Sequence, residues 1–136
     1  EIYTLSLHDA LPIWSASALK VIEVMERDNF PAKAMHIADL LNAGLKEIQK
    51  KHPVIGDIRG TGAMMGFELV KDPATKEPAP ELTAAVIQNC MNKGLLLEAA
   101  GTYGNVVRVL APLVTTDAQV QAGLDIIGKA LDEEDK

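Results

Sequence analysis

The stretch from Gly94 to Gln119, GLLLEAAGTYGNVVRVLAPLVTTDAQ, constrains the fold more than any other part of the chain. It sets one arginine, Arg108, inside an apolar run typical of a strand, directly after a Gly-Thr-Tyr-Gly-Asn turn. Arginine is almost never fully buried unless it is paired. Arg108 therefore either reaches water from an edge strand or meets an anion, and its planar guanidinium fits a small-molecule carboxylate. The residues alone leave both alternatives open.

Hydrophobic periodicity predicts four helices, because apolar residues repeat every three or four positions and so share one helix face. The predicted helices are Ser15–Asn29, a second from Pro31 to the His52-Pro53 stop, Glu81–Lys93, and a last one that starts at Thr116. Gly94 suits the position just after a helix end. The spacing of Thr116 and Gln119 matches a capping box, which marks a helix start.

Four strands lie between these helices, in two pairs. They are predicted over Ile55–Arg59, Ala63–Val70, Leu95–Glu98 and Asn105–Ala111. A turn at Gly60-Thr61-Gly62 joins the first two, and the glycine-bounded loop Ala99–Gly104 joins the last two. The resulting order, α-α-β-β-α-β-β-α, favours an α+β fold with two layers, a sheet covered by helices.

Composition limits the classes of function. A chain of 136 residues is one domain by length, and a net charge of −6 argues against nucleic acid and anionic membranes as partners. No apolar run approaches the roughly eighteen residues that a membrane helix needs. The single cysteine, Cys90, allows no internal disulfide and is expected as a small buried hydrophobe. A reducing, cytoplasmic setting fits this usage.

Other candidate motifs carry weaker signals. Gly60-Thr61-Gly62 lacks the spacing of a phosphate loop, so it is interpreted as a hairpin turn. The three histidines are scattered, and no metal site is predicted. Asp57 and Glu68 are interpreted as surface strand residues without a basic partner. Arg59 precedes the glycine-rich turn and either reaches an anion or faces solvent, and the solvent-facing interpretation is favoured. Tyr103 is either a turn residue or a neighbour of a ligand.

Three blocks of sequence resemble one known family. They are Ala18–Asn29, ALKVIEVMERDN; Ile55–Pro80, IGDIRGTGAMMGFELVKDPATKEPAP; and Leu95–Leu113, LLLEAAGTYGNVVRVLAPL. They are similar to the class III, pyridoxal-phosphate-dependent aminotransferases, with the greatest likeness to the members that act on 4-aminobutyrate. The resemblance runs from Ser15 to Asp132 in a single register.

The resemblance implies that residues 15–136 are the C-terminal small domain of a fold-type I pyridoxal-phosphate-dependent transferase. It implies transfer of an amino group from 4-aminobutyrate or a related ω-amino acid to a 2-oxo acid, 2-oxoglutarate. Arg108 matches the family arginine that holds a substrate carboxylate. No catalytic and no cofactor-binding residue is assigned within this chain.

The resemblance also implies that essential parts lie elsewhere. Such an enzyme needs a lysine that forms a Schiff base with the cofactor, and an acidic partner for its ring nitrogen. In the family these residues lie in a large domain upstream, and none of the ten lysines here has that setting. We therefore expect an inactive C-terminal fragment of a parent enzyme that is a homodimer.

Residues 1–14, EIYTLSLHDALPIW, do not fit the family register and resemble a translated sequencing adapter. We expect them to be a non-native leader; the alternative is a divergent N-terminus. Two alternative functions also stay open. One is another class III aminotransferase, of the ornithine or acetylornithine type. The other is a stand-alone amino-acid-binding regulatory module that would dimerise through its sheet.

Overall fold

The computed structural model describes residues 7–135. Its elements are α1 (Leu7–Arg27), α2 (Phe30–Lys51), β1 (Ile55–Thr61), β2 (Met64–Leu69), α3 (Pro80–Asn92), β3 (Glu98–Ala100), β4 (Val106–Leu110) and α4 (Asp117–Glu134). The predicted order of helices and strands is confirmed. The chain divides into two compact units, 1–32, which carries α1, and 33–136, which carries most of α2 and every later element. Across residues 7–135, no helix is both long and apolar enough to cross a membrane.

The four strands form one antiparallel sheet in the order β1-β2-β4-β3. One face of the sheet is buried, with Phe67, Leu69 and Val107 fully enclosed. The helices of the second unit cover that face with a matching set of buried residues, which includes Leu41, Leu45, Val86, Cys90, Leu124, Ile127 and Leu131. The predicted α+β fold with a sheet and a helical layer is therefore confirmed. Among the described residues, Phe67 is the one aromatic member of this core, and the other core side chains are aliphatic or contain sulfur.

The loop of the β1–β2 hairpin lies later in the chain and is shorter than predicted. Gly60 pairs with Met65 inside the ladder, and Thr61 pairs with Met64, so the loop is only Gly62-Ala63. Gly62 has a φ of 59°, a left-handed conformation that two-residue hairpins place at their first loop position and that glycine adopts without strain. The turn is thus set by Gly62 rather than by the whole Gly-Thr-Gly group.

The strand predicted over Leu95–Glu98 lies further along, at Glu98–Ala100. The end of α3 explains the shift, because Gly94 N–H donates to Met91 O (3.0 Å) and Leu95 N–H donates to Cys90 O (2.9 Å). These two bonds form a Schellman motif, which confirms the predicted role of Gly94 after the helix end. Leu95 therefore still belongs to the end of the helix and cannot begin a strand.

The first helix begins earlier than the predicted Ser15, at Leu7. Part of the proposed leader, residues 1–6, lies outside the described residues, and residues 7–14 form the first turns of α1, with Pro12 inside the helix. The predicted start at Ser15 depends on the expected end of the leader and not on hydrophobic periodicity. The last helix begins as predicted, with a complete capping box between Thr116 and Gln119.

Candidate functional site

The sheet face that points away from the core carries two arginines on either side of a glycine. Arg59 of β1 pairs with Gly66 of β2, and Gly66 pairs with Arg108 of β4. Cross-strand partners share a face, and neighbouring strands lie about 4.8 Å apart, so the two arginine backbones are separated by about 10 Å. We call this surface the outer face.

Arg108 projects from the middle of β4, between the buried strand residues Val107 and Val109. Its side chain is 43% exposed and forms an ion pair with Glu98, its direct partner on β3. The sequence alternatives for Arg108 were an edge strand that faces water or contact with an anion. The edge-strand placement is wrong, because β4 lies between β2 and β3, yet Arg108 is partly exposed and also meets an anion, the carboxylate of Glu98. An ion pair between two exposed side chains contributes about 0–1 kcal/mol, so it holds the guanidinium only weakly.

Arg59 binds two carboxylates with a single nitrogen. Its Nη1 donates to Asp57 Oδ2 (2.5 Å) and to Glu68 Oε2 (2.8 Å). The prediction that Asp57 and Glu68 lack a basic partner is therefore wrong. Arg59 meets both of its alternatives, because its side chain is exposed to solvent and also binds anions, the two carboxylates. Asp57 lies two residues from Arg59 on the same strand face, whereas Glu68 reaches it only through the register of the sheet.

Glu68 also accepts a hydrogen bond from Asn105 Nδ2 (3.1 Å). The hydrogen bond from Arg59, and next the one from Asn105, hold the pKa of the Glu68 carboxyl below its ordinary value. The same contacts with Glu68 and Asp57 raise the pKa of Arg59. Glu68 is thus ionised at neutral pH, and it links the edge strand β1 to the residue that precedes β4.

Asn105 was not predicted as a functional residue. Only 1% of it is exposed, and its Nδ2 donates a second bond to Leu69 O (3.0 Å). Its own backbone O accepts from Leu69 N–H (2.8 Å). The sequence shows that an asparagine directly precedes an apolar strand, but the neighbouring residues do not show that this asparagine is buried.

The loop before Asn105 is short and partly open. It begins at Gly101 rather than at the predicted Ala99, because Ala99 and Ala100 belong to β3. Gly101 and Gly104 have positive φ angles of 81° and 64°, and Gly104 N–H donates to Gly101 O (3.1 Å). Tyr103, at the tip, is exposed and leaves both of its predicted roles open.

The remaining reactive side chains lie away from the outer face. Cys90 is fully buried in α3, as predicted, and burial raises the pKa of its thiol to about 11. His36 is bonded to Asp117, and His52 lies between Asp132 and Asp135. Among the described residues, no three His, Cys, Asp or Glu side chains are grouped closely enough to hold a metal ion.

A sequence profile of the family described as aminotransferase class-III matches residues 8–131. The chain belongs to this family. It is 43% identical over 122 residues to the 4-aminobutyrate aminotransferase of Escherichia coli (strain K12), a match that covers 90% of this chain and 29% of that protein. The same identity and coverage hold for the 5-aminovalerate aminotransferase of Pseudomonas aeruginosa.

The fold of this class III chain also matches solved structures. A Bacillus anthracis aminotransferase superposes with a TM-score of 0.77 at 33% identity, covering 85% of this chain and 27% of that one. The chain thus spans less than a third of the length of the relatives it matches.

Proposed function

We propose that this chain is the C-terminal small domain of an aminotransferase that moves an amino group from 4-aminobutyrate or a related ω-amino acid to a 2-oxo acid, 2-oxoglutarate. The observation that carries the proposal is the 43% identity to relatives named for 4-aminobutyrate and for 5-aminovalerate. Both compounds have an amine at one end and a carboxylate at the other. A site for the carboxylate would therefore serve either substrate.

In this proposal Arg108 holds the substrate carboxylate. Its guanidinium is half exposed on a strand whose neighbours are buried, so the backbone beneath it is firmly held. A planar fork binds a carboxylate through two bonds and so fixes its orientation. The role of Arg108 is to position the substrate, which lowers the entropic cost of the reaction, rather than to transfer a proton.

Pyridoxal phosphate belongs to the proposal as the cofactor, which supplies an electron sink when it is bound. Every lysine that the structure describes is exposed, and several are held by carboxylates, as in the pairs Lys71–Glu77 and Lys93–Glu133. The contact with Glu77 raises the pKa of Lys71, whereas a lysine that attacks a carbonyl must be neutral. We therefore assign the Schiff-base lysine, the phosphate contacts and the ring contacts to residues beyond this chain.

We also propose a large domain outside this segment, since the chain spans 29% of its relatives. The proposed homodimeric state of the parent enzyme rests on the family resemblance. A cytoplasmic setting completes the proposal, and the single free thiol of Cys90 supports it. The family match over residues 8–131 favours the enzyme over a stand-alone regulatory module. Ornithine or acetylornithine remains the alternative substrate class.

The test compares the 136-residue chain with a full-length protein that carries it. With pyridoxal phosphate, the full-length protein should convert 4-aminobutyrate and 2-oxoglutarate, and the chain alone should be inactive. Borohydride reduction should then trap the cofactor on a lysine outside this segment. Turnover of ornithine but not of 4-aminobutyrate would support the alternative substrate class. A stoichiometric adduct on one lysine of the isolated chain, with turnover, would contradict the proposal.

A further inference from the structure

Asn105 closes the β2–β4 ladder just beyond its last pair of strand residues. That pair is Glu68 and Val106. The next residue of β2, Leu69, donates its N–H to Asn105 O (2.8 Å), and its own O accepts from Asn105 Nδ2 (3.0 Å). One residue thus binds both backbone polar groups of Leu69, and it fixes which residue of β2 lies opposite the start of β4.

This register decides where Arg108 points. Side chains alternate between the two faces of a strand, so a slip by one residue would turn Arg108 from the outer face toward the core. Its partner on β2 is Gly66, which has no side chain to hold Arg108 in place from that side. The bonds between Asn105 and Leu69 therefore help to set the direction of the arginine three residues further along.

The amide of Asn105 is itself held by a chain of charged groups. Because Asn105 is buried, each hydrogen on its Nδ2 needs an acceptor, and Glu68 Oε1 supplies the second one at 3.1 Å. The other oxygen of Glu68 is bound by Arg59 Nη1, which also binds Asp57. The Arg59–Glu68–Asn105 network therefore runs from the edge strand to the start of β4.

We propose that Arg59, Glu68 and Asn105 are positioning residues for carboxylate recognition by Arg108, an inference that rests on the function proposed above. The network holds the backbone that carries the arginine and does not touch the substrate. Arg59 is the best position to test, because its side chain is 54% exposed and its loss leaves the core intact.

The geometry predicts which substitutions of Arg59 preserve the network and which break it. One nitrogen, Nη1, makes both contacts, so the ammonium group of lysine can replace it. Arg59→Lys should therefore preserve the network, and Arg59→Gln should break it. Lys50→Met is the control, since Lys50 forms a more exposed ion pair with Glu47 on α2 and is not a member of the network.

The first measurement is amide hydrogen exchange by NMR in the 136-residue chain. Leu69 N–H reports on the bond to Asn105, and Ala111 N–H, which is bonded to Ala63 O (3.2 Å), reports on the other end of β4. In Arg59→Gln the Leu69 amide should exchange about two- to fivefold faster, as expected for the loss of a surface ion pair, while Ala111 stays unchanged. Arg59→Lys and Lys50→Met should leave both amides as they are. Unchanged exchange at Leu69 in Arg59→Gln would overturn the inference.

The second measurement uses the full-length aminotransferase that carries this segment. Arg59→Gln should raise KM for 4-aminobutyrate by about two- to fivefold with kcat nearly constant, and should spare an amine that lacks a carboxylate. Equal loss on both substrates would mean a general structural defect and would overturn the inference. Arg108→Lys serves as the reference. If Arg108→Lys impairs 4-aminobutyrate more than the amine without a carboxylate, and Arg59→Gln does not, only the positioning role of the network is overturned. If Arg108→Lys affects both substrates alike, the assignment of Arg108 in the proposed function is overturned.

Discussion

Arg108 of β4 and Glu98 of β3 are direct cross-strand partners joined by an ion pair on the outer face. The pair lies near one edge of the sheet, because β3 is the last strand in the order β1-β2-β4-β3. Glu98 itself is 65% exposed. A carboxylate of the chain thus already occupies the arginine that the family resemblance assigns to a substrate carboxylate.

Removing the charge of Glu98 should change stability little. We expect Glu98→Gln to alter the free energy of unfolding by less than about 1 kcal/mol, because both partners are exposed and solvent screens their attraction. The measurement is urea denaturation of both proteins at low and at high salt, where the difference should shrink further. A loss well above that range would mean that Glu98 is needed to hold β3 on the sheet.

Glu68 should make stability depend on pH in the acid range. Its folded pKa lies below the ordinary value of 4.5, mainly because of Arg59, so its contribution is fully present above pH 4.5. The contribution is lost as the pH falls below 4.5 and through the lower folded pKa. The free energy of unfolding, measured by denaturation, should therefore differ less between pH 7 and pH 3 in Glu68→Gln than in the original chain. Arg59→Gln should reduce the difference in the same way, and an unchanged difference in both variants would contradict the assigned cause.

The thiol of Cys90 should be inert in the folded chain. Burial raises its pKa from 9.0 to about 11, so the thiolate fraction at pH 8 falls roughly a hundredfold, before any steric protection is counted. A disulfide reagent should therefore react slowly with the native protein and rapidly in denaturant. Rapid labelling without denaturant would show that α3 opens locally or that Cys90 is accessible.

Local chemistry determined the parts of the fold that the sequence predicted well. The alternation of Phe67 and Leu69 with Gly66 and Glu68 indicates one buried face on β2, and that face is buried. The capping box at Thr116 and the glycine after α3 mark helix ends through bonds within a few residues. Such signals are readable because the atoms that form them are close in sequence.

The parts that failed have two different causes, a local helix end that competes with a strand and a contact between residues on different strands. Leu95 has an apolar neighbourhood typical of a strand, yet the Schellman motif uses its N–H and moves β3 to Glu98. Arg59 and Glu68 are nine residues apart, and only the hairpin register makes them partners. On the outer face, Arg108 could be identified from the sequence, but the Arg59–Glu68–Asn105 network could not. The contacts of Asn105 are with Glu68 and Leu69, more than thirty residues earlier in the chain, so only the folded structure brings them together.

The proposed leader should be dispensable for stability. The core residues that the structure describes all lie at or after Ile37, and Ile13 and Trp14 are exposed. Deleting residues 1–14 should therefore change the free energy of unfolding by no more than about 0.5 kcal/mol, as for other surface changes. Leu124→Ala is the positive control, with an expected loss of about 2–5 kcal/mol. If the deletion is as costly as the control, residues 1–14 are a structural part of the domain.

The decisive prediction concerns the geometry of Arg108. In the full-length enzyme, Arg108→Lys keeps the positive charge but removes the planar fork that binds a carboxylate through two bonds. A hydrogen bond to a charged group contributes about 1.5–3 kcal/mol, and about 1.4 kcal/mol corresponds to tenfold, so kcat/KM for 4-aminobutyrate should fall about ten- to a hundredfold. An amine substrate without a carboxylate does not use the fork and should be affected much less. Steady-state kinetics with both substrates on the same variant measure this difference. If the two values of kcat/KM fall equally, or if neither falls, Arg108 is a structural or solvent-facing residue of β4 and its partner is Glu98 alone.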